Sequence, residues 1–409
     1  MRLHAIDPFS DATIQDPYAF YAALRDEAPV YRAAGGQYWY VSRYEDIERV
    51  VMDPQTYSSH IVAILLESDG AVQVVDKPTL DVGPVDVLAI EDPPAHGPQR
   101  TAITRVLNRR TVRALEDGMR SKARRMLDEG GTSMDFMAAV AFRLPMEVIS
   151  DLLGLPREMA PQLKEWSDHA IALLSGVNTA EQLSDHIQAS LAYTAWLTRW
   201  CERPPTTPLM AALAEGDFTP REVMSMVMQL VIAGSDSSAS AMGSAVRMLA
   251  ESPTLQATLR ADPTRIPAFI DEVLRLETPF QGHFRCTTRE VELGGTTLPA
   301  GARLMVLWAS GNRDPAAWSH PDRVDLDRPN GARHLAFGHG LHRCLGAQLA
   351  RLEAKVVVEE ALQRCGSITL DTASLRYRPS VFVRTLEALP IRLATAAPQS
   401  KDRPSASSA

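Results

Sequence analysis

The sequence is poor in the features that mark secreted, membrane-spanning and nucleic-acid-binding proteins. Only four cysteines occur among 409 residues, too scattered for a disulfide framework, which fits a reducing compartment. No apolar run approaches the length of a membrane span, and the N-terminus lacks the pattern of a signal peptide. We therefore expect a cytoplasmic protein without membrane contact. The formal net charge of -8 argues against a nucleic-acid partner.

The chain also lacks an internal linker, because no Gly/Ser-rich or charge-rich stretch divides it. Its 45% hydrophobic content is enough for one large core. Most segments have helical periodicity, with a few short strand patterns such as 37–42, so a mainly helical single domain over residues 1–395 is predicted. Residues 58–90 have no sustained periodicity and are predicted to form a long loop. Residues 396–409 have the composition of a disordered tail.

The most informative stretch is 336–351, which contains Cys344 among three glycines. Glycine allows a backbone to come close to a flat ligand. Apolar residues then recur at helical spacing, which puts the cysteine at the N-terminus of a helix. There the macrodipole and the free N–H groups favour a thiolate. A thiolate held in this way suits an axial ligand of haem iron.

Two other interpretations of this stretch remain open on its residues alone. A lone cysteine is most often a small buried apolar residue. His339, His342 and Cys344 could also form a zinc cluster, although they crowd together and no second ligand group lies nearby.

The complete string 337–346, Phe-Gly-His-Gly-Leu-His-Arg-Cys-Leu-Gly, resembles the haem-binding loop of the cytochrome P-450 family. Further motifs occur in the family's order, so the resemblance covers about residues 7–393. It implies a mainly α fold with a small β lobe, in which heme b lies between a long central helix and the cysteine-bearing loop. Cys344 would be the iron ligand. The residues that would contact the haem are His96, Arg100, Ala233, Gly234, Arg285, Phe337, Gly338, His342, Cys344 and Gly346.

The central helix is predicted to begin at Pro220, where Thr219 and Glu222 have capping-box spacing, and to end at Glu251. One glycine and several serines in its middle predict a local distortion. The resemblance implies that Ala233 and Gly234 leave room for dioxygen.

By the same resemblance, Asp236 and Ser237 supply protons during catalysis. The family usually has threonine where Ser237 stands. Serine keeps the hydroxyl but lacks the methyl group that restricts χ1, so looser geometry and more uncoupled turnover are expected.

Two further sets follow from the resemblance. A buried ion-pair triad would support the haem loop, formed by Glu272, Arg275 and Arg323. The substrate pocket would include part of residues 58–90 and the side chains of Leu230, Phe280, Gln281, Gly282 and Phe382.

The resemblance implies a monooxygenase that uses O₂ to oxidise a small apolar substrate, acting as a monomer. Because no electron-transfer module fits in this length, electrons would come from NAD(P)H through a separate ferredoxin and ferredoxin reductase. An acidic iron–sulfur partner would dock near a run of arginines at 105–113. Alternatives are a peroxygenase, an oxidative coupling enzyme, or a haem sensor without activity.

Overall fold

The computed structural model describes residues 3–33, 36, 38–60, 63–68, 71–76 and 83–394, with the backbone alone for 63–68 and 71–76. The α-helices are α1 (Asp11–Gln15), α2 (Tyr18–Glu27), α3 (Tyr44–Met52), α4 (His96–Val106), α5 (Arg109–Ala114), α6 (Glu116–Gly130), α7 (Arg143–Leu153), α8 (Ala160–Ala172), α9 (Ala180–Cys201), α10 (Pro208–Ala214), α11 (Pro220–Glu251), α12 (Pro253–Ala261), α13 (Ile266–Leu276), α14 (Trp308–Gly311) and α15 (Ala347–Arg364). The strands are β1 (Val30–Arg32), β2 (Trp39–Val41), β3 (Tyr57–Ser58), β4 (Ala63–Ser68), β5 (Ala71–Asp76), β6 (Ser133–Asp135), β7 (His283–Thr287), β8 (Val291–Leu293), β9 (Thr296–Leu298), β10 (Arg303–Val306), β11 (Ser367–Leu370) and β12 (Pro390–Ala394). The predicted tail lies outside the described residues.

Helix α11 is the central element of the fold. Its 32 residues begin at a complete capping box, in which the Thr219 side chain accepts from Glu222 N–H and the Glu222 side chain accepts from Thr219 N–H. At 1.5 Å per residue the helix is about 48 Å long, and it packs against α7, α8, α9 and α15. The predicted start and end are confirmed. The predicted local distortion is wrong, because α-helical structure continues through the serine-rich centre.

A small β lobe lies beside the helical part. Its main sheet has the order β1-β2-β10-β7-β3, in which β2 and β10 pair in parallel and the other pairs are antiparallel. A Gly-Gly turn joins β8 and β9 into a hairpin, with φ of 53° at Gly294 and 76° at Gly295. The apolar run 304–309 favours a single strand, but β10 ends at Val306 and α14 follows.

Two predicted segments differ from the structure. The region 58–90 contains an antiparallel hairpin of β4 and β5 rather than a loop throughout. The sequence of residues 381–386, Val-Phe-Val-Arg-Thr-Leu, favours a hairpin, but this segment forms only isolated bridges that pair Phe280 with Val383 and Tyr377 with Leu386. In both bridges one partner comes from outside the segment, so the local pattern does not determine the pairing. Among the described residues, no helix is long and apolar enough to cross a membrane.

A buried ion-pair network fastens α13 to the segment that precedes the cysteine loop. Arg275 donates to Glu272 through Nε at 2.7 Å and through a terminal nitrogen at 2.9 Å. Arg328 donates from Nε to the same carboxylate at 2.9 Å. Arg323 was predicted as the third member, but its side chain is exposed and only its carbonyl accepts from Arg275. The correction is therefore Arg328 in place of Arg323.

We expect Arg328→Ala to lower the free energy of unfolding by about 3–5 kcal/mol, because it leaves the Glu272 carboxylate with less compensation for its burial. The matched control, Arg323→Ala, should change it by less than about 0.5 kcal/mol, since an exposed side chain is removed. Urea denaturation of both variants measures the difference. Equal losses in the two variants would contradict the network described here.

Candidate active site

A large cavity, called here the central cavity, lies between the middle of α11 and the loop that bears Cys344. Its open space, mouth included, is about 1470 Å³. Predicted site residues from widely separated segments meet on its walls. These include His96, Arg100, Leu230, Ala233, Gly234, Ser237, Phe280, Arg285, Phe337, Gly338, His342, Cys344 and Gly346.

The cysteine loop is shaped by hydrogen bonds of its own backbone. Cys344 N–H donates to the carbonyl of Phe337 at 2.8 Å, which closes a loop over the intervening turn. Gly338 within it has a φ of 62°, a conformation that glycine adopts at least cost. The predicted helix follows, with Gly346 at the N-cap of α15. The sulfur is thus held just before a helix N-terminus, as the spacing predicted.

The helix end alone does not set the protonation of this cysteine. Cys344 is exposed towards the central cavity, which lies between α11 and the cysteine loop. Burial raises the pKa of the Cys344 thiol, while a hydrogen bond from the Gly346 N–H and the charge of Arg100 oppose the rise. The expected thiolate therefore does not follow from the protein alone. A coordinated metal ion would supply the missing stabilisation, because a coordinating thiol is deprotonated outright.

Four basic side chains gather on one side of the cavity, from α4, β7 and the cysteine loop. The rings of His96 and His342 lie 4.4 Å apart between centroids. Arg100 donates to the carbonyl of Arg343 at 2.7 Å, and the buried Arg285 donates to the carbonyl of Phe284 at 2.6 Å. Burial and the charge of Arg285 lower the pKa of His342 to about 3, so its imidazole is neutral.

The two predicted proton-supplying residues face different spaces. Ser237 lines the central cavity and donates its hydroxyl to the carbonyl of Ala233 at 2.8 Å. Asp236 instead faces a second space, the outer cavity, which lies between α11, α8, α9 and the segment 378–385. There its carboxylate accepts from Lys164 Nζ at 3.1 Å. Burial raises the pKa of Asp236, and the charge of Lys164 opposes that rise.

Lys164 connects this buried acid to more exposed charges. It also pairs with Asp168, one turn further along α8. Asp168 in turn accepts from Arg378 at 2.9 Å. All four side chains line the outer cavity, so a chain of ionisable groups reaches from solvent to α11. Sequence spacing did not point to Lys164, because it lies far from Asp236 along the chain.

Three of the predicted pocket residues do not line the central cavity. The side-chain oxygen of Gln281 accepts from Tyr21 Oη at 3.0 Å, and its Nε2 donates to the backbone carbonyl of Thr278. A Cβ at Gly282 would meet the carbonyl oxygen of Val306 at 2.5 Å, so that position packs against β10. Phe382 is buried against Phe280. Ile149 and Trp308, which the sequence analysis did not single out, line the cavity instead, together with His283 and with Leu88 from the segment 58–90.

Comparison with known proteins identifies the arrangement. The family model for cytochrome P450 matches residues 100–376. The chain belongs to the cytochrome P450 family. Cytochrome P450 144 of Mycobacterium tuberculosis is 34% identical over 391 residues, which cover 93% of this chain and 90% of that protein. Cytochrome P450 CYP199A2 of Rhodopseudomonas palustris is 32% identical over 400 residues, covering 96% and 94%.

Solved structures agree with this membership. The structure of cytochrome P450 CYP109Q5 from Chondromyces apiculatus superposes with a TM-score of 0.81 at 33% identity, covering 96% of this chain and 98% of that one. The predicted fold class is thereby confirmed. As a cytochrome P450, the chain is a haem monooxygenase that binds heme b and uses O₂ and a substrate.

The residues of the central cavity fit a haem. Haem carries two propionates, and the basic side of the cavity offers groups that could bind them. Among the residues that the structure describes, neither ring nitrogen of His342 has a hydrogen-bond partner, and Nδ1 of His96 also lacks one. Buried polar groups are seldom left unpaired without a ligand or water to satisfy them. With Arg100 and Arg285 beside them, these imidazoles form a site suited to two carboxylates.

We expect His342→Phe to speed the loss of haem to an excess of apomyoglobin by about tenfold, because one propionate would lose a hydrogen-bond donor. The variant His342→Gln keeps an N–H donor at a similar distance from the backbone and should lose haem more slowly than His342→Phe. Absorbance of the acceptor measures both rates. Identical rates for the native protein and His342→Phe would remove this residue from the propionate site.

Proposed function

We propose that this cytochrome P450 inserts one oxygen atom from O₂ into a C–H bond of a small, largely apolar molecule, with Cys344 as the axial ligand of the haem iron. The observation that carries the proposal is the position of the Cys344 sulfur. It faces a cavity whose opposite wall is the centre of α11 and whose side carries the unpartnered His96 and His342. A cysteine thiolate on haem iron donates electron density that favours cleavage of the O–O bond.

An apolar substrate is supported by the wall above the cysteine loop. Leu230, Phe280, Ile149 and Leu88 contribute apolar side chains there. The small side chain of Ala233 and the missing one of Gly234 leave space at the centre of α11. Pockets of this kind bind by apolar contact and orient the ligand through a few polar groups.

We assign Asp236 and Ser237 to proton supply. Asp236 takes a proton from the solvent side through Lys164 and its partners, and Ser237 presents its hydroxyl to the central cavity. Because the two side chains face different cavities, transfer between them requires the Asp236 side chain to rotate towards Ser237 or a water molecule to bridge them. The Lys164 pairing supports use of O₂ and NAD(P)H over a peroxide-driven reaction, since peroxide already carries its protons.

Electrons would come from NAD(P)H through a ferredoxin reductase and a ferredoxin. Supporting this, Arg105, Arg109, Arg110 and Arg113 are all exposed on α4 and α5, although the chain as a whole carries a net charge of -8. Arg100 on α4 is bonded to the carbonyl next to Cys344, so this surface lies close to the cysteine loop. Complementary charge would speed and orient an acidic partner. A cytoplasmic monomer is part of the same proposal.

Replacing Cys344 by alanine tests the proposal directly. We expect Cys344→Ala to abolish the strongly red-shifted Soret band of the reduced, carbon-monoxide-bound protein, because no thiolate would remain on the iron. The control Cys201→Ala, at the end of α9, should keep that band. A red-shifted band in Cys344→Ala would overturn the ligand assignment.

Removing the Ser237 hydroxyl tests the proton supply. We expect Ser237→Ala to lower product formed per NAD(P)H consumed by at least about threefold, since proton delivery by a positioned group is worth more than that in enzymes. Ser237→Thr should raise the yield above that of the native protein, because the added methyl restricts χ1. The control is Ser244→Ala, two turns away on α11.

Oxygen, NAD(P)H and product are measured together for each variant. Unchanged coupling in Ser237→Ala would exclude Ser237 from the relay. Faster turnover with hydrogen peroxide than with ferredoxin, reductase and NAD(P)H would favour the peroxygenase alternative.

A further inference from the structure

His283 is a partly buried imidazole on β7 that none of the roles above uses. It lines the central cavity and retains partial exposure there, although protein surrounds it on its other sides. Phe280 and Phe382 pack against the ring at centroid distances of 5.2 Å each. Trp308 lies 5.9 Å away. The imidazole is therefore one polar group within an aromatic wall.

The neighbouring tryptophan determines which nitrogen of His283 carries the proton. Trp308 Nε1 donates to His283 Nδ1 at 2.7 Å. An indole N–H can only donate, so Nδ1 must be the acceptor. A neutral imidazole has a single N–H, which must then be on Nε2. Burial and the charge of Arg285 lower the pKa of His283 to about 3, which keeps the ring neutral.

Within the described ranges the structure gives Nε2 of His283 no hydrogen-bond partner, and this atom is not among the buried unpartnered ones. Trp308 occupies the Nδ1 edge, and the rings of Phe280 and Phe382 lie beside the imidazole. The donor is consequently open to the cavity.

We propose that His283 is a specificity-determining residue that donates a hydrogen bond from Nε2 to a neutral carbonyl oxygen of the substrate. The inference rests on the proposed function of the same cavity and names its substrate class: an apolar, ring-containing molecule that carries a ketone, ester or amide group. A donor in an aromatic wall discriminates strongly, because a ligand without an acceptor leaves it buried and unpaired.

A carbonyl suits this position better than a carboxylate does. The donor is neutral, and a carboxylate beside Phe280 and Phe382 would be desolvated without a cation of its own. The guanidinium groups of Arg100 and Arg285 are assigned to the propionates, and the third arginine that lines the cavity, Arg343, is exposed. Those two groups and the imidazoles of His96 and His342 already give four donors for two carboxylates, so His283 is not needed there.

Matched ligands test the proposal. Acetophenone and α-methylstyrene have nearly the same shape but differ in a carbonyl oxygen, and 4-acetylbiphenyl and 4-isopropenylbiphenyl form a larger pair. Calorimetric titration of the haem-loaded protein gives the dissociation constant of each, with benzoate as the carboxylate probe. We expect a ketone to bind about five- to tenfold more tightly than its alkene partner, the range of one buried hydrogen bond.

The same titrations on two variants identify the donor. His283→Phe keeps an aromatic ring but removes the donor. The ratio of the alkene's dissociation constant to that of the matching ketone should therefore fall to about one. His283→Gln offers an oxygen to Trp308 and an N–H to the ligand, and should restore part of the preference. An unchanged ratio in His283→Phe overturns the proposal, as does failure of both ketones to bind the native protein. A loss confined to benzoate would overturn the carbonyl class.

Two further readouts separate this proposal from the others. Faster haem loss from His283→Phe, with the ketone preference unchanged, would assign His283 to a propionate and overturn its role towards substrate. The carbon-monoxide spectrum is recorded for every preparation. A native protein without the red-shifted band would overturn the proposed function itself, whereas a normal band with an unchanged ratio overturns only the role of His283.

Discussion

A cavity that collects four basic side chains is the constraint on which this structure depends. Arg100, Arg285, His96 and His342 converge from three separate elements, and within the described part of the chain both ring nitrogens of His342 and Nδ1 of His96 lack a hydrogen-bond partner. Leaving such buried atoms unpaired is costly unless a ligand or water enters beside them. Cys344 faces the same cavity, where desolvation raises the pKa of its thiol and a metal ion would stabilise the thiolate. Haem supplies two carboxylates and an iron ion, and so answers both requirements at once.

The walls of this cavity are held by contacts that lie outside it. Arg351 on α15 donates to Asp271 at 2.7 Å and stacks over the ring of Phe337 at 4.5 Å. The ring of His334 also packs against Phe337, with 5.5 Å between the two ring centroids. The cysteine loop is thus clamped between α13 and α15 by groups that do not approach the ligand. Rigid support of this kind controls access of solvent to a metal ligand and tunes its properties.

Local signals predicted much of this architecture, and contacts between distant segments account for what they missed. The capping box at Thr219 predicted the start of α11, because both partners lie within one turn. The cysteine loop was predictable for a similar reason, since its glycines and its helix are contiguous. By contrast, Arg323 and Arg328 lie in one irregular segment, and only the path of that segment decides which guanidinium reaches Glu272.

The pocket shows the same limit. Gln281 and His283 are two positions apart, a spacing that would put both on one face of a regular strand. The strand β7 begins only at His283, however, and the irregular chain before it turns Gln281 towards Tyr21 while His283 lines the cavity. His283 and Trp308 are 25 positions apart in the sequence and meet only because β7 pairs with β10. No local pattern could therefore have indicated a fixed tautomer of His283. Chemical identity of a substrate is therefore the last property to be read from sequence.

The arrangement of α11 separates two needs that conflict in an oxidising site. Protons must reach the centre of the chamber, yet bulk water there would compete with an apolar substrate for space. On the proposed proton route, these needs are separated because Asp236 and Ser237 are neighbours on a helix, where successive side chains point about 100° apart. Asp236 lines the outer cavity with Lys164, and Ser237 lines the central cavity. Moving either residue by one position would turn its side chain away from its cavity, so the proposed route depends on the two residues being adjacent.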